Sequence, residues 1–396
     1  MRSYNNLASF LLVSVVTYLL TPVCGKPVTN PVSSRDNDVI KPKVFIIDMF
    51  TPEAEVWYDI PEFDILAQNI TIPGFSPLFP DAHCTSDGSI CQLITGEAEI
   101  NAASTMSALV YSGVFDLTTT YFLIAGIAGV SPKVATIGSV TFARFAVQVA
   151  LQYELDAREK PLDFPTGYVP QGSFSPDQYP QSIYGTEVFE LNSDLRTIAV
   201  NFAKTATLND SAAAQELRAL YASVPAYALG AAPPAVTECD TTTSDVQWSG
   251  ALLAEAFENT TSLFTNGTAV YCSNQQEDNA TLEVLLRATL AGLVDFSRII
   301  VMRTATAFDR QYNGETAAAN LFGDAPGFEP SVLNIYLAGV KVVEGISNGW
   351  EKVFEQGIRP TNYIGDIFGS LGGEPNFGPG SILGGRSLPA TAASAS

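Results

Sequence analysis

Three groups of side chains stand out as placed to move a proton or hold a polar ligand. Glu53 and Glu55 follow Pro52, just past the apolar run Val44-Phe45-Ile46-Ile47; Gln276, Glu277 and Asp278 stand together; Asp309 adjoins Arg310. A carboxylate just beyond a strand faces the crevice of an open sheet, where a general base can reach a bound water. Pro52 equally marks Glu53 and Glu55 as acids at a helix N-terminus, where the dipole favours them, and Asp309 beside Arg310 reads equally as an ion pair. Another feature is Ile124-Ala125-Gly126-Ile127-Ala128-Gly129, directly after the run Thr120 to Leu123. It reads as a buried strand ending in a glycine-bracketed turn. Such a turn lets backbone N–H groups around Gly126, Ala128 and Gly129 approach a ligand that a larger residue would hold off. His83 is the only histidine. No Ser-His or Cys-His pair and no imidazole metal cluster can then be assembled, so no metal site is expected and His83 reads as an ordinary surface or satisfied residue.

The elements that must position these groups alternate. Val44 to Ile47 is short, continuous and β-branched, as a buried strand is; Asp48 to Pro52 interrupts it before a helix-compatible Glu53 to Tyr58. Ile90 to Ile94 and then Ile100 to Tyr111 repeat the strand, turn, helix order. Tyr121 to Ala125 and Ser139 to Phe145 read as further strands, giving an α/β sheet with helices on its faces. Residues 161–185 and 223–250 read as loop, and 187–222 as helical, with Leu191, Leu195, Ile198 and Phe202 in step. Ile299 to Met302 reads as a core strand and Leu333 to Trp350 as a last long helix.

Composition bounds the setting. Arg2, the apolar stretch Leu7 to Leu20 and the small residues to Gly25 form a secretory signal pattern at 1–25, too short and interrupted for a spanning helix. A proline- and serine-containing linker at 26–41 leads into a single domain over 42–368, and glycine, proline, serine and alanine make 369–396 a mobile tail. A secreted or cell-surface location follows. Cys24 belongs to the signal; of the connectivities open to the other four cysteines, Cys84 to Cys91 and Cys239 to Cys272 are predicted. Sequons at Asn69, Asn209, Asn259, Asn266 and Asn279 agree with export and make the chain a candidate glycoprotein. With 41 acidic and 20 basic residues, the formal charge of -21 repels nucleic acid polymers and anionic membranes.

Several distinctive blocks stand along the chain: MFTPEAEVW at Met49 to Trp57, AGIAGVSPKVATIGSVTFARF at Ala125 to Phe145, LQYELDARE at Leu151 to Glu159 and GTEVFELN at Gly185 to Asn192. QQEDNATL at Gln275 to Leu282, MRTATAFDRQY at Met302 to Tyr312 and NIYLAGVKVVEGI at Asn334 to Ile346 complete them. Together these blocks resemble the fungal purine nucleoside permease family, whose folded domain is similar to nucleoside phosphorylases and nucleosidases. The resemblance implies a three-layer α/β/α sandwich with a mixed central sheet, nucleoside phosphorylase-like, and a site for a purine nucleoside such as adenosine or guanosine. A chain without a bundle of spanning helices does not form a translocation path by itself. A role in uptake then needs a separate membrane carrier, and the related phosphorylases make a homo-oligomer plausible.

By the same resemblance Glu53 occupies the place of a carboxylate that positions attacking water. Glu277 falls where a glutamate accepts hydrogen bonds from the ribose hydroxyls, with Gln276 in the place of a methionine and Asp278 able to share the role. A glycan on Asn279 would crowd that site, so this sequon is expected to be unmodified. Ala307 falls where related enzymes place an aspartate or asparagine on purine N7; Asp309 substitutes only if the loop shifts. Phosphate is poorly provided for: Ile127 and Asp48 replace the polar residue and glycine of the phosphorylase pattern, and Arg144 and Arg303 are the nearby cations, both also suited to ion pairs. No cofactor is implied, and phosphate only for a phosphorylase. Hydrolysis of the N-glycosidic bond or simple binding is expected ahead of phosphorolysis. Phe50, Trp57, Phe145 and Tyr153 lie near the motifs and read more readily as core than as stacking partners.

Overall fold

Along the strand Val44–Asp48 every residue is buried, and alternate side chains enter different cores. Phe45 and Ile47 pack with Met106, Leu109, Leu282 and Leu285, whereas Val44 and Ile46 pack with Leu195, Ile335, Val342 and Val343. The strands Tyr121–Val130 and Ile299–Phe308 divide the same way, Phe122, Ile124, Ile299 and Val301 on one face and Tyr121, Leu123, Ile300 and Met302 on the other. A sheet covered on both faces needs such continuous apolar runs. Helices Glu99–Tyr111 and Asp278–Leu290 cover one face, and Ser193–Ala203 and Phe328–Asn348 the other, so the architecture is a three-layer α/β/α sandwich.

This computed structural model describes residues 39–375 and 377. The expected signal segment with Cys24, the linker up to residue 38 and residues 378–396 of the tail lie outside the described residues. Within the tail span, Phe377 is 1% exposed and packs edge-on against Phe145. Both expected disulfides, Cys84–Cys91 and Cys239–Cys272, are formed. Among the described residues no helix is long and apolar enough to cross a membrane, and no cluster of three or more metal-ligating side chains occurs.

The main sheet has 13 strands and is mixed. Tyr121–Val130 runs parallel to Val44–Asp48 through Tyr121 to Ile124 and parallel to Ile299–Phe308 along almost its whole length. At its far end it pairs antiparallel with Tyr271–Gln275, Ser273 opposite Val130 and Asn274 opposite Gly129. Because Ile299–Phe308 occupies one edge throughout, the other two strands share the opposite edge, and between Ile124 and Gly129 that edge has no strand partner.

Several expected boundaries move. The glycine stretch is not a turn: Ile124 to Gly129 lies inside the long strand, and Ile299 to Met302 likewise extends to Phe308. Ser139 to Phe145 is two strands, Val140–Ala143 and Phe145–Gln148, broken at Arg144. Within 187–222, Val188–Glu190 is a strand and the helices are Ser193–Ala203 and Ala212–Tyr221. The stretch read as loop over 223–250 contains Asp240–Thr243, a fully buried strand between Phe145–Gln148 and Tyr271–Gln275. Its polar sequence hides it from an apolar-run criterion, yet the Asp240 carboxylate accepts from the backbone N–H groups of Arg144, Phe145 and Val270. Likewise Tyr168–Pro170, inside the 161–185 stretch, forms a small separate sheet with Gln152–Glu154.

Candidate functional site

The unpaired edge between Ile124 and Gly129 opens into a cavity lined by Met49, Phe50, Glu53, Glu277 and Arg303 at one part and by Gly129, Asn274, Trp248 and Phe308 at another. Glu53 sits in the short helix Thr51–Glu55, set by Pro52 immediately past the first strand. It is 1% exposed, and its two oxygens accept from Met49 N (2.7 Å) and Ile127 N (2.6 Å). The second bond satisfies a backbone N–H where no strand is available. Burial pushes the Glu53 carboxyl up to about 8 despite the Arg303 charge and these two donors.

Glu277 comes to the same cavity from an unexpected element. It is no exposed acidic loop but the N-cap of helix Asp278–Leu290, 4% exposed. Gln275 builds that turn: its oxygen accepts from Glu277 N (2.7 Å) and Asp278 N (2.8 Å), while its amide nitrogen is held by Thr241, Thr242 and Thr243. Glu277 itself accepts from Ala98 N at 3.0 Å through one oxygen and from Arg303 Nη2 at 3.2 Å through the other. Burial raises its carboxyl, opposed by Arg303. Ala98 makes its bond from φ 72° and ψ 163°. This region is almost confined to glycine, so the surroundings hold Ala98 there at a cost of about 1–3 kcal/mol.

Arg303 lies beneath both glutamates, 2% exposed, donating to Asp278 (2.6 Å), Glu277 and the Ile127 carbonyl (3.1 Å). Burial alone would lower its guanidinium, but Asp278 and Glu277 hold it above its ordinary value. Asp48, fully buried behind Glu53, accepts from Gln92 (2.6 Å), and burial followed by the Glu53 charge holds it well above the carboxylate range. A Cβ on Gly126 would come within 2.6 Å of Arg303 Nη1 and 2.8 Å of Glu53 Oε1, so this glycine admits the two side chains to the strand edge rather than making a turn.

Of the residues singled out in the sequence, Glu53, Ala128, Gly129, Gln276 and Glu277 line one cavity, with Gly126 under it and Asp278 behind. Asp309 also lines it, but its carboxylate is taken: Oδ1 accepts from Arg310 Nε (2.8 Å) and Oδ2 from Tyr271 (2.8 Å) and Arg310 Nη2 (3.0 Å). Ala307 faces the cavity beside a bulge at Thr306 in the register against Tyr121–Val130. Arg144 pairs with Glu190, away from the lining. Phe50 reaches the lining, Trp57 and Phe145 are fully buried core, and Tyr153 is 49% exposed on the small sheet. His83 is half-buried, edge-on to Tyr58. Asn279 is 2% exposed, and its Nδ2, the atom a glycan would be joined to, donates to the Thr186 carbonyl (2.7 Å). The residues not foreseen are Ala98, Asn274 and Trp248; nothing local in the sequence signals them, because cross-strand register and loop placement bring them in.

Solved structures similar to this chain include a 5'-methylthioadenosine/S-adenosylhomocysteine nucleosidase from Neisseria meningitidis (TM-score 0.44, 13% identity, 78% of this chain and 99% of that one). Another is a futalosine hydrolase of Helicobacter pylori (TM-score 0.43, 14% identity, 78% and 98%). Among curated proteins, a purine nucleoside permease of Candida albicans is 46% identical over 347 residues, 86% of this chain and 84% of its own. A probable purine nucleoside permease of Schizosaccharomyces pombe is 42% identical over 322 residues, 79% of this chain and 91% of its own. The family model described as "Purine nucleoside permease (NUP)" matches residues 41–359, and the chain belongs to that family.

Proposed function

We propose that the cavity binds a purine nucleoside and hydrolyses its N-glycosidic bond. The ligand class comes from the names of the family and of its curated relatives. The observation that carries the chemistry is that Glu53 and Glu277 line one cavity, each oriented by backbone N–H groups and backed by the same buried guanidinium. Glu277, held through both oxygens but with lone pairs to spare, accepts from the ribose hydroxyls. Glu53 in its ionised form takes a proton from water; the water oxygen bonds to the anomeric carbon as the carbon–nitrogen bond breaks, the bonding pair leaves with the base, and the base acquires a proton from solvent. Negative charge from the two carboxylates stabilises the cation-like sugar. Among the described residues Arg303 is the only basic side chain in the lining, and it is engaged by Glu277, Asp278 and Ile127, which speaks against an orthophosphate site there.

A second reading has its own support. Ala307 offers the departing base no hydrogen bond, and both Asp309 oxygens are occupied, which favours a binding protein that hands nucleoside to a separate membrane carrier. Chromatography of adenosine, inosine, guanosine and uridine after incubation with purified protein, with and without phosphate, separates these. Free purine base without phosphate, lost in Glu53→Gln and Glu277→Gln, is the expected result. Phosphate-dependent release would make it a phosphorylase, and saturable binding with no product would leave the accessory role.

A further inference from the structure

Resting on the reading of the cavity as a purine nucleoside site, we infer that Asn274 is the residue that recognises the base, its amide N–H donating to an acceptor on the edge of the purine ring. Asn274 lines the cavity, and its Nδ2 is buried from solvent with no hydrogen-bond partner among the described residues. A buried amide donor left unpaired is costly, and where one persists in a pocket wall a ligand is the natural partner.

Its position in the sheet gives the direction. Asn274 pairs with Gly129 on one side of the long strand, and Ala307 pairs with Gly129 on the other, so the three residues form one row across three adjacent strands. The middle member has no side chain, and a Cβ there would overlap the Asn274 amide oxygen. The Asn274 amide therefore lies over Gly129, the middle of the row, with its oxygen nearest the glycine and its nitrogen beside it. Ala307 carries only a methyl group, and the bulge at Thr306 brings it into this register. A polar group from one strand thus lies over a glycine, next in the row to a position where the strand beyond supplies none. Two other polar groups nearby are committed: Asn320 Nδ2 donates to Ser249 and to the Phe308 carbonyl, and Asp309 is held by Arg310 and Tyr271.

The test is calorimetric binding of adenine and of its 1-, 3- and 7-deaza analogues, which have no glycosidic bond to cut and each lack one ring acceptor. Adenosine serves as a control for the nucleoside reading. In the wild type one analogue should bind about five- to tenfold more weakly than adenine, the factor carried by one neutral hydrogen bond. In Asn274→Leu and in Asn274→Val, two shapes without a hydrogen-bond donor, adenine should fall to the level of that analogue and the discrimination should vanish. Melting curves identify a variant that has merely unfolded; discrimination retained in either folded variant, or absent from the wild type, overturns the inference. A wild type that binds neither adenosine nor any base overturns the nucleoside reading and this inference with it.

Discussion

Glu53→Gln should change stability in opposite directions at low and high pH. The Glu53 carboxyl has an ordinary value of 4.5 and is pushed up to about 8 in the fold by burial. Between these values the folded chain holds a proton that the unfolded chain has released, so stability falls as pH rises, by about 1.4 kcal/mol per pH unit, and levels off above 8. At pH 7 the accumulated loss is on the order of 3 kcal/mol. Glutamine does not titrate and escapes it. Glutamine has one acceptor oxygen, however, where the carboxyl uses two, for Met49 N and Ile127 N. One of those N–H groups would face an NH2 group, at a cost of about 1–3 kcal/mol. At pH 5, where wild-type Glu53 is protonated and both its oxygens still accept, the variant should be less stable by that amount; at pH 8.5 the titration term offsets it and the order reverses. Urea unfolding of both proteins at pH 5, 7 and 8.5 measures the difference directly. A difference that does not change with pH would refute the assignment of Glu53 as a buried, proton-holding carboxyl. If it stands, the ionised form required of a base is scarce below neutrality, and hydrolytic kcat/KM should rise with pH toward 8.

Arg303→Met should cost about 3–5 kcal/mol in urea unfolding, because it leaves Asp278 and Glu277 buried without their cation; a loss under 1 kcal/mol would mean that the carboxylates were never paired through it. Ala98→Gly should stabilise by about 1 kcal/mol, the relief of a glycine-only conformation less the added freedom of the unfolded chain, yet weaken nucleoside binding by loosening the N–H that holds Glu277. An unchanged or lower melting temperature would show that no strain is stored there. At pH 8.5, where Glu53 is ionised, adenosine 5'-monophosphate should compete at least 100-fold less well than adenosine, since a phosphate charge about 5 Å from one carboxylate costs about 3 kcal/mol at an effective dielectric of 20; equal competition at that pH would contradict an ionised Glu53 in the cavity.

The fold was legible where burial is apolar. Val44 to Ile47 and Tyr121 to Ala125 announce strands because both their faces meet hydrophobic cores. Asp240–Thr243 does not, since it is buried by hydrogen bonding and its side chains carry the turn that presents Glu277. The glycines read in sequence as a turn that lets a ligand approach the backbone; they lie instead within a strand, and what approaches them is side chains, Arg303 and Glu53 at Gly126 and Asn274 at Gly129, which depends on register between strands far apart in sequence. Glu53 and Glu277 were legible through family resemblance; that they share a cavity follows only from the order of strands.

That order also accounts for where the cavity lies. Val44–Asp48 leaves the edge of the long strand after Ile124, and Tyr271–Gln275 joins the same edge only at Gly129. The backbone between them must be satisfied by something other than a strand, and Ile127 is satisfied by Glu53 at its N–H and by Arg303 at its carbonyl. Each of these side chains is thereby fixed by a bond the sheet itself requires, and each still faces the opening. Replacing either disturbs the ladder as well as the site, which ties the stability of the central strand to the geometry of the chemistry. Asn274 sits where pairing resumes, with no backbone group to satisfy and its own donor unused among the described residues. The first two residues are therefore committed to holding the edge and the charge in place, while the third is free for a ligand, and specificity can vary at position 274 without rebuilding the sheet.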